Sequence, residues 1–117
     1  MTRQQTLMNF IGKPYEVGAT GPDSYDCAGL AAAVWRDVFG MILPCRENTA
    51  DARRTWRSLA LPEDGAIVMM KADGTHIGVW LAEGGVIHAL EERGVIFDSP
   101  HVLALRGYSN LRFYLPP

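Results

Sequence analysis

Cys27 stands in Tyr25-Asp26-Cys27-Ala28-Gly29-Leu30, where a turn gives way to an apolar, alanine-rich helix. A cysteine in the first turn of a helix meets unpaired backbone N–H groups and the positive end of the macrodipole, both of which favour thiolate over thiol. Two histidines follow: His76 in Thr75-His76-Ile77-Gly78-Val79-Trp80 and, twelve residues on, His88 in Val86-Ile87-His88-Ala89. One cysteine followed by separated histidines is the footprint of a Cys/His hydrolase, whose sulfur attacks a carbonyl while an imidazole moves the proton.

The same residues admit other chemistry. Cys27 and Cys45 would form one disulfide in an oxidising compartment. Cys27, Cys45, His76 and His88 are zinc-ligand types, yet they lack the short C-x-x-C or H-x-x-x-H spacing of structural sites. Cys45, directly after Pro44, reads most simply as a small, partly buried residue. Taken singly, Cys27 is a small core residue, His76 a solvated loop histidine and His88 a satisfied core one. His101 lies outside any motif and reads as surface. Asp26 reads as an N-cap or turn residue rather than a catalytic acid, since a carboxylate beside the sulfur opposes its ionisation.

The elements that position these residues separate well along the chain. Thr2 to Phe10 is a short amphipathic helix with Leu7, Phe10 and Ile11 as its apolar contacts, ended by Gly12 and Pro14. The Gly-, Pro- and Asp-rich stretch from Lys13 to Tyr25 is loop, expected to wall a groove beside Cys27. A second helix runs from Cys27 to Phe39 with Leu30, Val34 and Val38 on one stripe, and stops at Gly40. A third starts near Asn48 or Thr49, with Ala52, Trp56 and Leu59 inward and Arg53, Arg54 and Arg57 outward. Tyr25 and Trp80 are candidate groove walls for a sugar-peptide ligand, with packing the simpler account for Trp80 on its apolar strand.

After Pro62-Glu63-Asp64-Gly65 the pattern turns to strands at Ala66–Met70, His76–Ala82, Val86–Leu90, Val95–Asp98 and Leu111–Leu115. Helices first and hairpin-linked strands second predict an α+β fold, with a five-stranded antiparallel sheet packed on the second helix. A connection centred on Glu83 sets Gly78 opposite His88 and makes His76 the diagonal neighbour of His88 on the same face. A two-residue turn at Gly84-Gly85 would instead invert His76. The wider connection is therefore expected, with both histidines facing the N-terminal end of the second helix.

Composition excludes several classes. The chain has 117 residues, is 48% hydrophobic and carries a net charge of −2. That is the profile of one globular domain over residues 1–117, with no basic-aromatic stripe for nucleic acid or an anionic membrane. There is neither an apolar run near ~18 residues nor a charged-then-apolar leader, so an untargeted, soluble chain is expected.

Five short motifs in order resemble the NlpC-type cell-wall cysteine peptidases: Gly12-Lys13-Pro14-Tyr15 with Gly18, the Cys27 segment, Gly65-Ala66-Ile67-Val68, His76-Ile77-Gly78-Val79-Trp80-Leu81 and Gly85-Val86-Ile87-His88-Ala89. The resemblance implies a papain-like core and cleavage of an amide in peptidoglycan stem peptides, typically between D-glutamate and a diamino acid. It makes Cys27 the nucleophile, His76 the general base and His88 the third, orienting residue, with Tyr15 beside the nucleophile. The backbone N–H of Cys27, with the Tyr15 hydroxyl, is then the oxyanion donor. No metal or other cofactor is implied. Ala28 stands where the family usually has serine, and Val17 where it has an aromatic residue, which bears on substrate choice. The small form resembles variants carried by bacteriophage tails. That implies tail proteins as partners and a virion or host-cytoplasmic location, or else a tail structural component with a reduced enzymatic role.

Overall fold

Thr2 opens the first helix, α1 (Arg3–Phe10), through a reciprocal capping box: its hydroxyl accepts from the Gln5 N–H at 3.1 Å and its own N–H donates to the Gln5 side chain at 2.9 Å. The computed structural model describes residues 1–43, 56–72 and 74–116. Helix α2 (Cys27–Phe39) is capped by Asp26, which accepts from the Gly29 N–H at 2.6 Å, and ends at Gly40 in the left-handed conformation at φ 67°. Both helices lie where the sequence periodicity puts them.

The strands are β1 (Arg57–Leu59), β2 (Ile67–Ala72), β3 (Gly74–Leu81), β4 (Gly85–Leu90), β5 (Gly94–Asp98) and β6 (Ser109–Leu115), with helix α3 (Pro100–Leu105) between the last two. They form one sheet in the order β1-β6-β2-β3-β4-β5, antiparallel at every pairing. The five expected strands are all present. The sixth, β1, corrects the reading of Arg57 and Leu59 as helical: Arg57–Leu59 pairs with Leu115–Phe113 of β6, and this long-range ladder overrides the local pattern. Trp56, expected inward on that helix, is buried in the core but lies in a bend; the part of the expected third helix before it lies outside the described residues, as does Cys45. Helix α3 was not expected, although Ser99 caps it and Pro100 occupies its first turn, both ordinary start signals.

Strands β2, β3, β4 and β6 send alternate side chains to two different cores. Ile77, Val79, Leu81, Ile87 and Ala89 pack with Leu30, Val34 and Trp35 of α2 and with Leu7 and Phe10 of α1. Complete burial of a side chain such as Leu30 contributes about 1.5–3 kcal/mol. The Trp35 indole donates to the Gly65 carbonyl at 2.8 Å, tying α2 to the approach of β2. On the opposite face Val68, Met70 and Val86 pack with Leu103 of α3, flanked by Trp80, Tyr108 and Phe113. The sheet is therefore covered on both sides, where the sequence reading foresaw packing on α2 alone.

The connection from β3 to β4 is the wider one. Leu81 pairs with Gly85 and Val79 with Ile87, leaving Ala82-Glu83-Gly84 as the loop, with Gly84 at φ 101°. This register sets Gly78 opposite His88. A Cβ on Gly78 would lie 2.5 Å from Val86 Cγ1 and 3.0 Å from His88 Cβ, so only glycine allows the two strands to approach there.

Candidate active site

Cys27 enters the site from the first turn of α2, held by the loop before it. The Ala19 carbonyl accepts from the Asp26 N–H at 3.0 Å and leaves no room for a side chain at Gly29. The second oxygen of Asp26 accepts from the Gly18 N–H at 3.0 Å. Tyr15 and Tyr25 bridge within this loop; Tyr15 lines the cleft, whereas Tyr25 is buried against Phe10, which corrects its reading as a groove wall. Trp80 packs edge-on to Phe113, as its apolar strand suggested.

A cleft of about 640 Å³ is lined by Cys27, Tyr15, His76 and Tyr108, with Glu91 and Arg93 also in its lining. Cys27 is half-buried and carries a free thiol. Burial pushes that thiol above its ordinary range; the backbone of Ile77 pulls it down, the Asp26 charge pushes it up, and the Ala28 and Cys27 backbone do not restore the balance. The helix-start backbone favours thiolate as expected, but burial outweighs it, so the thiol form prevails. At the same helix start the Asp26 carboxylate accepts from the Gly29 N–H, and its negative charge opposes ionisation of the sulfur.

The two histidines meet. His76 Nε2 lies 2.9 Å from His88 Nδ1, with the rings edge-to-face at 5.1 Å between centroids. Burial and then the proximity of His88 push the His76 pKa down to about 4. His88 is completely buried; burial lowers its pKa despite the opposing pull of Asp98. Both imidazoles are therefore neutral near pH 7. They share one face, as expected, but it is the α3 face rather than the face on which α2 lies: His76, Gly78 and His88 alternate with Ile77 and Ile87, which contact α2. The α2 N-terminus still borders the same cleft at the open end of the sheet.

Three residues of this site escaped the sequence reading. His88 Nε2 lies 2.9 Å from Asp98 Oδ2, and Asp98 is clasped by Arg106 through Nε at 2.7 Å and Nη2 at 3.3 Å. Tyr108 stacks on His76 with 5.1 Å between centroids at 22°. One signal was available for Asp98. With Leu90 opposite Gly94, Asp98 falls on the His88 face, and it is an acid closing an otherwise apolar strand. His101 is exposed, as expected.

The chain resembles known proteins over most of its length. A probable endopeptidase of Corynebacterium glutamicum is 38% identical over 80 residues, covering 68% of this chain and 38% of that protein. The probable endopeptidase p60 of Listeria grayi is 32% identical, covering 78% of this chain and 18% of its own length. The murein DD-endopeptidase MepS/murein LD-carboxypeptidase of Escherichia coli K12 is 27% identical, over 75% of this chain and 48% of that one. The chain thus spans less than half the length of these curated relatives. Among solved structures, the NlpC/p60 domain of the peptidoglycan hydrolase SagA superposes with a TM-score of 0.67 at 21% identity, covering 98% of this chain and all of that domain. The NlpC/P60 family model matches residues 12–106, which takes in Cys27, both histidines and Asp98, and the chain belongs to that family.

Proposed function

We propose that this chain hydrolyses an amide bond in the stem peptides of peptidoglycan, with Cys27 as nucleophile, His76 as general base and His88 orienting His76. The observation that carries the proposal is the cleft itself, which is lined by both Cys27 and His76, the latter with its Nε2 held by His88. Both groups start neutral, so deprotonation accompanies attack. The free Nδ1 of His76 takes the thiol proton as sulfur adds to the carbonyl carbon. The resulting imidazolium gives that proton to the leaving amine, and the thioester remains. Water, deprotonated by the same nitrogen, then releases the acid and regenerates the thiol.

The oxyanion of each tetrahedral intermediate falls to the Cys27 backbone N–H and the Tyr15 hydroxyl. Burial, then the neighbouring sulfur, pushes the Tyr15 pKa up, which keeps the phenol protonated and able to donate. The endopeptidase names of the Corynebacterium and Listeria relatives support the reaction class.

The family resemblance extends the proposal to the bond between D-glutamate and the diamino acid, and to a phage-tail setting. Purified peptidoglycan digested with the chain, followed by mass analysis of the fragments, tests the bond. A new amino terminus on the diamino acid is expected; scission at the D,D cross-link or intact stem peptides would overturn it. Detection of the chain in purified virions tests the setting, and its absence there refutes it.

A further inference from the structure

We infer that Asp98, gripped by Arg106, is a positioning residue that dictates the tautomers of both site histidines and so leaves His76 Nδ1 bare towards the cleft. The inference rests on the proposed roles of Cys27 and His76 for its consequence, but not for its geometry.

The sheet builds the arrangement. His88 lies diagonally from His76 across β3–β4, through the Gly78 register. It lies diagonally from Asp98 across β4–β5, because Val86 pairs with Asp98 and His88 with Ile96. One face therefore carries a row of three side chains joined at 2.9 Å and 2.9 Å. Gly85 permits the close approach of β5, since the Asp98 carbonyl occupies the space a side chain there would need. Helix α3 then brings Arg106 back onto Asp98 eight residues later.

Proton bookkeeping follows from the donors and acceptors. Burial opposes ionisation of Asp98, but hydrogen bonds from Arg106 and His88 outweigh it and hold the acid below the usual carboxylate range. An ionised carboxylate only accepts, so His88 Nε2 must carry the hydrogen. Neutral His88 has no second N–H, so its Nδ1 is bare and His76 Nε2 donates to it. Neutral His76 has then used its single hydrogen, and its Nδ1 keeps a lone pair. Each assignment forces the next, starting at Asp98. Without the carboxylate, His88 is free to carry its hydrogen on Nδ1, which turns His76 round to the tautomer that cannot accept the thiol proton. Tyr108 holds the rings in place, stacked on His76 and edge-on to His88 at 6.0 Å.

Two independent measurements test this. Side-chain ¹⁵N–¹H correlation NMR of the full chain near pH 7, with exposed His101 as internal reference, is expected to show hydrogen on Nε2 of both His76 and His88. A protonated His76 Nδ1 in the wild-type chain overturns the inference without reference to substrate. In D98A the His88 hydrogen is expected to move in part to Nδ1, and kcat on peptidoglycan to fall by roughly 100-fold or more with KM little changed. R106Q keeps the carboxylate, so the tautomers stay and kcat falls by less than in D98A. Should D98A not fold, the wild-type and R106Q spectra decide. A folded D98A with wild-type kcat refutes the positioning role. Absence of any peptidoglycan cleavage by the wild-type chain instead refutes the proposed function and leaves the tautomer assignment standing or falling on the spectra.

Discussion

Gly78 lies directly opposite His88 across the β3–β4 ladder, and this single pairing puts His76 Nε2 at 2.9 Å from His88 Nδ1. A slip of one residue would put Val79 there and send His76 to the α2 face. The glycine is required because a Cβ at this position would meet Val86, the Ile87 carbonyl and His88 at 3.0 Å or less. We expect Gly78→Ala to lower stability by about 1–3 kcal/mol by forcing the strands apart, and to cut activity at least tenfold. Urea unfolding and fragment release from peptidoglycan check both; wild-type values in both assays would show that the register tolerates a side chain.

Cys27→Ala is expected to abolish cleavage, a loss of about four orders of magnitude or more, with the unfolding midpoint nearly unchanged. Cys45→Ala is expected to retain activity, because Leu43-Pro44-Cys45-Arg46 carries no part of the motif. Equal loss in both variants would sink the assignment of the nucleophile.

The neutral resting state has its own signature. Since burial holds the Cys27 thiol above the ordinary range, its alkylation by iodoacetamide should be slow near neutral pH and climb past the usual thiol titration near ~8.5. A preformed thiolate–imidazolium pair would instead alkylate at a constant rate from mildly acid to neutral pH. That outcome refutes the neutral pair.

Catalysis has a matching acid limit. His76 must be unprotonated to take the thiol proton, and its pKa is pushed down to about 4 by burial and by His88. The acid limb of kcat/KM is therefore expected near pH 4, and not near 6.5, with activity lost as the pH falls through it. A limb at 6.5 would mean that His76 titrates as a solvated histidine.

The same shift links stability to pH. An unfolded His76 titrates at about 6.5 and the folded one at about 4, so between these values the unfolded chain binds a proton that the folded site refuses. Stability falls as the pH drops across that window, by on the order of 3 kcal/mol from His76 alone, and lowered His88 acts in the same direction. Chemical unfolding across the window should show this slope, reduced in His76→Gln. An identical slope in that variant would rule out His76 as its source.

Local signals were enough for the helices and strands that carry the site. Asp26 and Gly40 bracket α2, short apolar stretches divided by glycine-containing turns mark β2 to β5, and Gly78 with the Glu83-centred connection put the two histidines on one face. Such features act over a few residues, and the chain states them directly. Tertiary structure decided what depends on distant neighbours. Arg57–Leu59 is a strand because β6 pairs with it. The Cys27 thiol is held neutral because the cleft desolvates it more than the backbone N–H groups compensate. The imidazoles face α3, where Tyr108 stacks on one and the Asp98–Arg106 pair anchors the other. Desolvation and the direction of a hydrogen bond arise only when separate strands are brought side by side, and no spacing within a single segment encodes them.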